Sequence, residues 1–235
     1  MTPRGGHNER QSSGSARAAD GEWAGRWPLE LILVRHGESE GNAEGRLQGQ
    51  RDYPLTALGQ RQVEATAKRL ALKKVAAVYS SPIKRALATA EAIVQPHALS
   101  VRLVTDIQEY DFGELSGLTW PQIKEQAPEV AKEIRSARPE YPSYPGEEGR
   151  ETFRKRVCNG LMGIVARHKG DERVVVVTHA GPIAVFAQHV LGRAYLRPNP
   201  FQIGNCSLTT IEFRDAPQGM PTAVLVSLNQ VCHLA

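Results

Sequence analysis

Two segments of the chain run through apolar residues and then stop on a histidine. LILVRHGESEGN brings Arg35, His36 and Gly37 together, and VVVVTHAG carries His179 with Gly181 close behind. An imidazole titrates near ~6.5, so it can act as nucleophile, acid or base around neutral pH. Arg35 adds a guanidinium beside one histidine, and burying such a group demands an anionic partner. A further arginine, Arg85, follows the apolar stretch before SSPIKRALATAE. Taken singly, each histidine reads as a satisfied structural residue and Arg85 as a solvated charge. Brought to one crevice, they read as a clamp for a small anion, with phosphate the best match.

The elements must therefore make them converge. Four apolar residues in a row, 31–34, read as a strand buried on both faces, and 174–177 as a second and still more apolar one. In open α/β sheets ligands bind beyond the carboxyl ends of parallel strands, where His36 and His179 would sit. Glycine beside each histidine would let the backbone approach a ligand. Thr56 reads as the N-cap of a helix to about residue 74. Residues 75–79 read as another strand, leading to a helix with Ser81 as N-cap and Pro82 at its first position. Arg85 would then lie in the first turn, where free N–H groups and the dipole favour anions.

Further elements continue the alternation. Residues 101–104 read as a strand, followed by a loop bearing EYDFGELSG and one or two helices over 119–137. RPEYPSYPGEEG, 138–149, is an irregular loop. Phe153, Val157, Leu161, Ile164 and Val165 mark a helix ending near Gly170, and GPIAVFAQHVLG begins another. CSLTTIEF and TAVLVSLN, separated by the turn-rich RDAPQGMP, read as an antiparallel pair. The expected fold is α/β: a three-layer α/β/α sandwich on a mostly parallel mixed sheet of about six strands, one of them antiparallel.

Composition narrows the function classes. The 235 residues are 41% hydrophobic and 23% charged, ordinary for one globular domain. No apolar run approaches the roughly 18 residues that cross a bilayer, so no membrane role is expected. The net charge of +4 comes without a basic stripe interleaved with aromatics, which argues against nucleic acid. Cys158, Cys206 and Cys232 form no zinc or redox spacing and read as reduced thiols in a cytoplasmic protein. The first 27 residues, rich in Gly, Ser, Ala and Arg, read as a disordered tail without a secretory h-region. Glu9, Asp20 and Glu22 count against an organellar presequence. A single domain over 28–235 follows the tail.

Neither GxxxxGK[ST] nor a GxGxxG after a strand is present, so a P-loop and a dinucleotide fingerprint are both excluded. A metal site from His36, His179, Glu109 and Asp111 competes poorly, because two arginines in the same crevice repel a dication.

At this point the chain resembles the histidine phosphatase superfamily, also called phosphoglycerate mutase-like, from about residue 29 to 228. RHGESEGN is similar to its RHG[EQ][ST]xxN signature, SSPIKRALATAE to its second arginine block, IQEYDFGELSG to its acid-bearing segment and VVVVTHAG to its second-histidine strand. The resemblance implies that His36 is the nucleophile, forming a phosphohistidine. Arg35, Arg85 and His179 would hold the phosphoryl oxygens, with Asn42 as an added donor. In one branch an aspartate directly after the second histidine is the acid. Here Ala180 stands there, which leaves Glu109 as proton donor and Asp111 as its nearest rival. Gln48 and Gly49 match positions that contact substrate in relatives. PGEEGRETFRKR is similar to a PGGES…F..R segment, with Gly149 in place of serine.

The chemistry agrees with those roles. Phosphoryl transfer needs in-line geometry and positive charge around the equatorial oxygens. Arg35 and Arg85 should hold the pKa of His36 down and keep it nucleophilic. No cofactor and no metal is required. The expected function is a metal-independent phosphomonoesterase acting on a small phosphorylated metabolite. Mutases that this chain resembles carry paired arginines in an insertion, whereas Arg135 and Arg138 are separated. Mutase-type phosphoryl transfer and a non-catalytic phospho-ligand binder are the alternatives. Substrate choice should sit in the loop around Tyr141 and Tyr144. The oligomeric state is not readable, and a homodimer stays open.

Overall fold

The computed structural model describes residues 28–135, 144–168, 170–193, 199–214 and 222–235. The expected tail over 1–27, Tyr141 and Arg138 lie outside the described residues. Six strands make one sheet: β1 (Leu29–Arg35), β2 (Ala77–Ser80), β3 (Val101–Leu103), β4 (Arg173–Thr178), β5 (Leu208–Arg214) and β6 (Thr222–Gln230). Their order is β3-β2-β4-β1-β5-β6. β1 and β2 both pair in parallel with β4, and β3 is parallel to β2. β5 runs antiparallel to β1 and to β6, so it alone is reversed among the six.

The apolar runs are buried on both faces because helices cover both. The described helices are α1 (Glu40–Ala43), α2 (Ala57–Ala71), α3 (Lys84–Val94), α4 (Trp120–Gln126), α5 (Pro128–Arg135), α6 (Arg150–Val165) and α7 (Ala180–Val190). Side chains alternate along a strand. Leu31, Leu33, Val174 and Val176 therefore pack on Phe153 and Leu161 of α6 and on Ile183 and Phe186 of α7. Ile32, Val34, Val175 and Val177 pack on Leu70 of α2 and on Ala86, Ala90 and Ile93 of α3. Each such side chain contributes roughly 1.5–3 kcal/mol by leaving water, which holds the strand ends rigid beneath the crevice. A smaller cluster, Leu115, Ile123, Ala131 and Tyr144, lies under α4 and α5. No described helix is long and apolar enough to cross a membrane.

Two helix starts test the capping signals. Thr56 caps α2 as expected, its hydroxyl accepting the Gly59 N–H at 3.0 Å. α3 does not begin at Pro82: its N-cap is Ile83 and its first helical residue Lys84. The Ser81 hydroxyl reaches the Ile83 N–H only at 3.4 Å, because it is engaged by His179. Arg85 still falls in the first turn.

Candidate active site

Strand register brings the two histidines together. β1 and β4 pair with Arg35 opposite Thr178, so His36 and His179 emerge side by side. The His36 N–H donates to the Thr178 carbonyl at 3.0 Å, and the rings lie 5.1 Å apart edge to face. β2 ends one strand over, and the Ser81 N–H donates to the Val177 carbonyl at 3.0 Å. Both imidazoles are buried, as is Arg85.

The hydrogen bonds of His36 settle its tautomer. Nδ1 lies 2.7 Å from the Gly37 carbonyl oxygen, which can only accept, so Nδ1 carries the proton. Nε2 is then the lone-pair nitrogen, and it accepts from Arg85 Nε at 3.1 Å. Burial first, then the charges of Arg85 and Arg35, hold His36 well below the ordinary imidazole range; the Gly37 carbonyl pulls weakly the other way. His179 is held down in the same manner by burial, Arg85, His36 and Arg35. Its Nε2 meets the Ser81 hydroxyl at 2.9 Å, and its Nδ1 has no partner among the described residues.

Two arginines flank the imidazoles. Arg85 is fixed by carbonyls, Nη1 donating to Arg51 and Nη2 to Gly49, each at 2.7 Å. Burial brings its pKa down to about 10, against the opposing charge of Glu109. Arg35 donates from Nη1 to the Ile203 carbonyl at 2.6 Å, and burial lowers its pKa too. A guanidinium tethered to neutral carbonyls keeps its charge for an incoming anion.

Asn42 belongs to the same edge, because its Oδ1 accepts from the Ser39 N–H at 3.2 Å and from Asn205 Nδ2 at 3.2 Å. Gln48 is buried and accepts from the Ser39 hydroxyl at 2.7 Å, and Gly49 touches the site through its carbonyl on Arg85.

Glu109 sits against the first turn of α7. Its Oε2 accepts from the Gly181 N–H at 3.2 Å and Oε1 from the Tyr110 N–H at 2.9 Å. Arg156 braces this stretch, donating to the carbonyls of Asp106, Gln108 and Glu109 while forking onto Glu148 at 2.6–3.0 Å. The rival Asp111 turns its carboxylate to the Gly113 N–H at 2.9 Å and makes a local turn. Among the described residues no group of three or more His, Cys, Asp and Glu is arranged to hold a metal ion.

The glycines have a different use from the expected one. A Cβ on Gly37 would lie 2.7 Å from Val63 Cγ2 and 2.8 Å from the Gly59 carbonyl oxygen, so helix α2 fills that space. A Cβ on Gly181 would lie 2.1 Å from Glu109 Oε1. Both glycines let another segment of the protein come close. Three further residues escaped the sequence reading. Ser81 reads locally as a cap, and its partner His179 lies 98 residues away in the sequence. Arg156 had a signal, the arginine of FRKR after Glu148. Asn205 had none, being one polar residue of the turn before β5.

Comparison with known proteins identifies the family. Residues 31–222 match the model of the histidine phosphatase superfamily (branch 1). The chain is 35% identical over 212 residues to a metal-independent phosphoserine phosphatase of Arabidopsis thaliana, covering 88% of this chain and 83% of that one. It is 37% identical over 156 residues to phosphoglycerate mutase-like protein 4 of the same plant, covering 66% and 67%. The solved mycobacterial glucosyl-3-phosphoglycerate phosphatase with VO3 superposes with a TM-score of 0.76 at 29% identity, over 86% of this chain and 100% of that one. Paired strand-end histidines, two carbonyl-tethered arginines and this match together mean that the chain belongs to the histidine phosphatase superfamily, branch 1.

Proposed function

We propose that the chain is a metal-independent phosphomonoesterase that hydrolyses a small phosphorylated metabolite through a phosphohistidine on His36. The observation that carries this reading is the His36 tautomer: Nδ1–H is tied to the Gly37 carbonyl, and Nε2 keeps its lone pair beside Arg85. Arg35, Arg85, Asn42 and His179 would surround the phosphoryl oxygens, supplying the positive charge that the transition state needs. The bound anion would let His179 take a proton and donate to it.

In the first step Nε2 attacks phosphorus, the bond to the ester oxygen breaks, and the Glu109 carboxyl gives that oxygen its proton. In the second, the Glu109 carboxylate takes a proton from water, the resulting hydroxide attacks phosphorus, and the N–P bond breaks. Atoms and charges return to their starting state with inorganic phosphate released. Gln48 and Gly49 would border the leaving group, Gly49 also holding Arg85 in place.

Similarity to phosphatases supports hydrolysis, and similarity to the mutase-like protein supports the second reading, transfer back to the same metabolite. The three cysteines are unpaired, which supports a reducing compartment such as the cytoplasm. We also read 28–235 as one domain, since the family match spans most of it. The test is phosphate release, in EDTA, from O-phosphoserine, 3-phosphoglycerate and glucosyl-3-phosphoglycerate, by wild type and His36→Ala. EDTA-resistant release that vanishes in His36→Ala is expected. Isomerisation of 3-phosphoglycerate without phosphate release would replace hydrolysis by the mutase reading.

A further inference from the structure

We propose that Asn205 is a positioning residue of this site: its amide couples the main chain of His36 to the side chain of Asn42 and decides which way the Asn42 amide faces. The inference rests on the proposed contact between Asn42 and a bound phosphoryl group.

Asn205 Nδ2 donates twice, to the His36 carbonyl at 3.0 Å and to Asn42 Oδ1 at 3.2 Å. The Ser39 N–H also donates to that Oδ1, at 3.2 Å. The Ser39 hydroxyl lies within 2.9 Å of Asn42 Oδ1 and 2.7 Å of Gln48 Oε1, but it has one proton for two acceptors. The shorter contact goes to Gln48, so the firm donors on Asn42 are two, and Asn205 is one of them. Turning the Asn42 amide over would set its NH2 against two N–H groups. The amide is therefore held with its oxygen toward Ser39 and Asn205, and its two N–H groups have no acceptor among the described residues.

The residue reaches this place because β5 is reversed. Its entry loop lies at the edge where β1 and β4 end, unlike the entry loops of the parallel strands. That loop is fixed at several points. The Cys206 N–H donates to the carbonyls of Arg35 at 3.0 Å and His36 at 3.2 Å. The Ile203 carbonyl accepts from Arg35, and the Gly204 N–H donates to Asn229 Oδ1 at 2.7 Å. Asn205 thus stands on a braced support and needs no motion to act.

The test is a double-mutant cycle read by binding of inorganic phosphate, which requires no turnover. Calorimetric Kd values would be taken for wild type, Asn42→Ala, Asn205→Ala, Asn205→Asp and Asn42→Ala/Asn205→Ala. Loss of a hydrogen bond to an anion should weaken phosphate about 10-fold in each single alanine variant. Because Asn205 acts through Asn42, the double variant should bind within about 2-fold of Asn42→Ala. Asn205→Asp keeps the volume but, once ionised, cannot donate and adds a negative charge, so it should bind phosphate at least as weakly as Asn205→Ala, and it carries the test if the alanine variant unfolds. Losses that multiply in the double variant would overturn the coupling, as would unchanged affinity in both Asn205 variants. A wild type that binds phosphate without hydrolysing any ester would sink the phosphatase reading and leave the cycle fully measurable; one that binds none would overturn both.

Discussion

Arg85 is asked to do two things at His36, and they can be separated. Its charge, second only to burial, holds the imidazole neutral. In the proposed reaction its guanidinium, tied to the Gly49 and Arg51 carbonyls, would turn its Nε–H from Nε2 to a phosphoryl oxygen. In Arg85→Gln both are lost. The pKa of His36 then rises, more of it is protonated at a given mildly acid pH, and the acid limb of kcat/KM moves to higher pH. The rate at its optimum should also fall about 100- to 1000-fold, as for other transition-state donors. Arg85→Lys keeps the charge without the fork. It should lower the rate while leaving the acid limb near that of wild type. A pH–rate profile of the three proteins checks this, and coincident acid limbs in wild type and Arg85→Gln would reject the electrostatic account.

At the scale of elements, the site depends on how closely α7 approaches the loop before α4. Gly181, in the first turn of α7, meets Glu109 where a methyl group cannot fit. Gly181→Ala should therefore displace the carboxyl without touching Arg35, His36 or Arg85. Phosphate affinity should stay within about 2-fold, while kcat falls 10-fold or more for an alkyl phosphate whose oxygen needs a proton. An aryl phosphate, whose leaving group departs unprotonated, should lose much less; equal losses on both esters would contradict the role given to Glu109. The sequence shows how far such arrangements can be read in advance. LILV and VVVV announce strands covered on both faces, and the histidines after them follow from that. The six-strand sheet with one reversed strand was legible in the same way. Contacts between distant segments were not. Ser81 has a good local reading as a cap, yet its partner is His179, the N-cap of α7 just beyond β4. Gly37 reads as room for a ligand until α2 is seen in that room. Asn205 carries no pattern, because only the reversed sense of β5 brings it to the site.

For the molecule as a whole, the sheet order gathers every candidate group at one edge, and the cost is two imidazoles kept uncharged inside. β4 and β1 occupy the middle of the sheet, so His36 and His179 are shielded by helices on both faces. In the folded protein both stay neutral well below the ordinary range. Unfolded, each regains a pKa near ~6.5 and takes up a proton below it. The unfolded chain then binds more protons than the folded one, so stability falls as pH falls, by about 1.4 kcal/mol per pH unit for each histidine. Their contribution is intact above ~6.5 and lost progressively on acidification. Denaturant midpoints in phosphate-free buffer should show this slope between about pH 6 and pH 5. Replacing both residues, as His36→Asn/His179→Asn, should flatten it by the share of the pair. Saturating phosphate should also reduce the wild-type slope, because the bound anion lets the folded protein keep a proton on His179. A slope unchanged by the double replacement would mean that the histidines are charged in the fold, and that Nε2 of His36 is not held ready to attack.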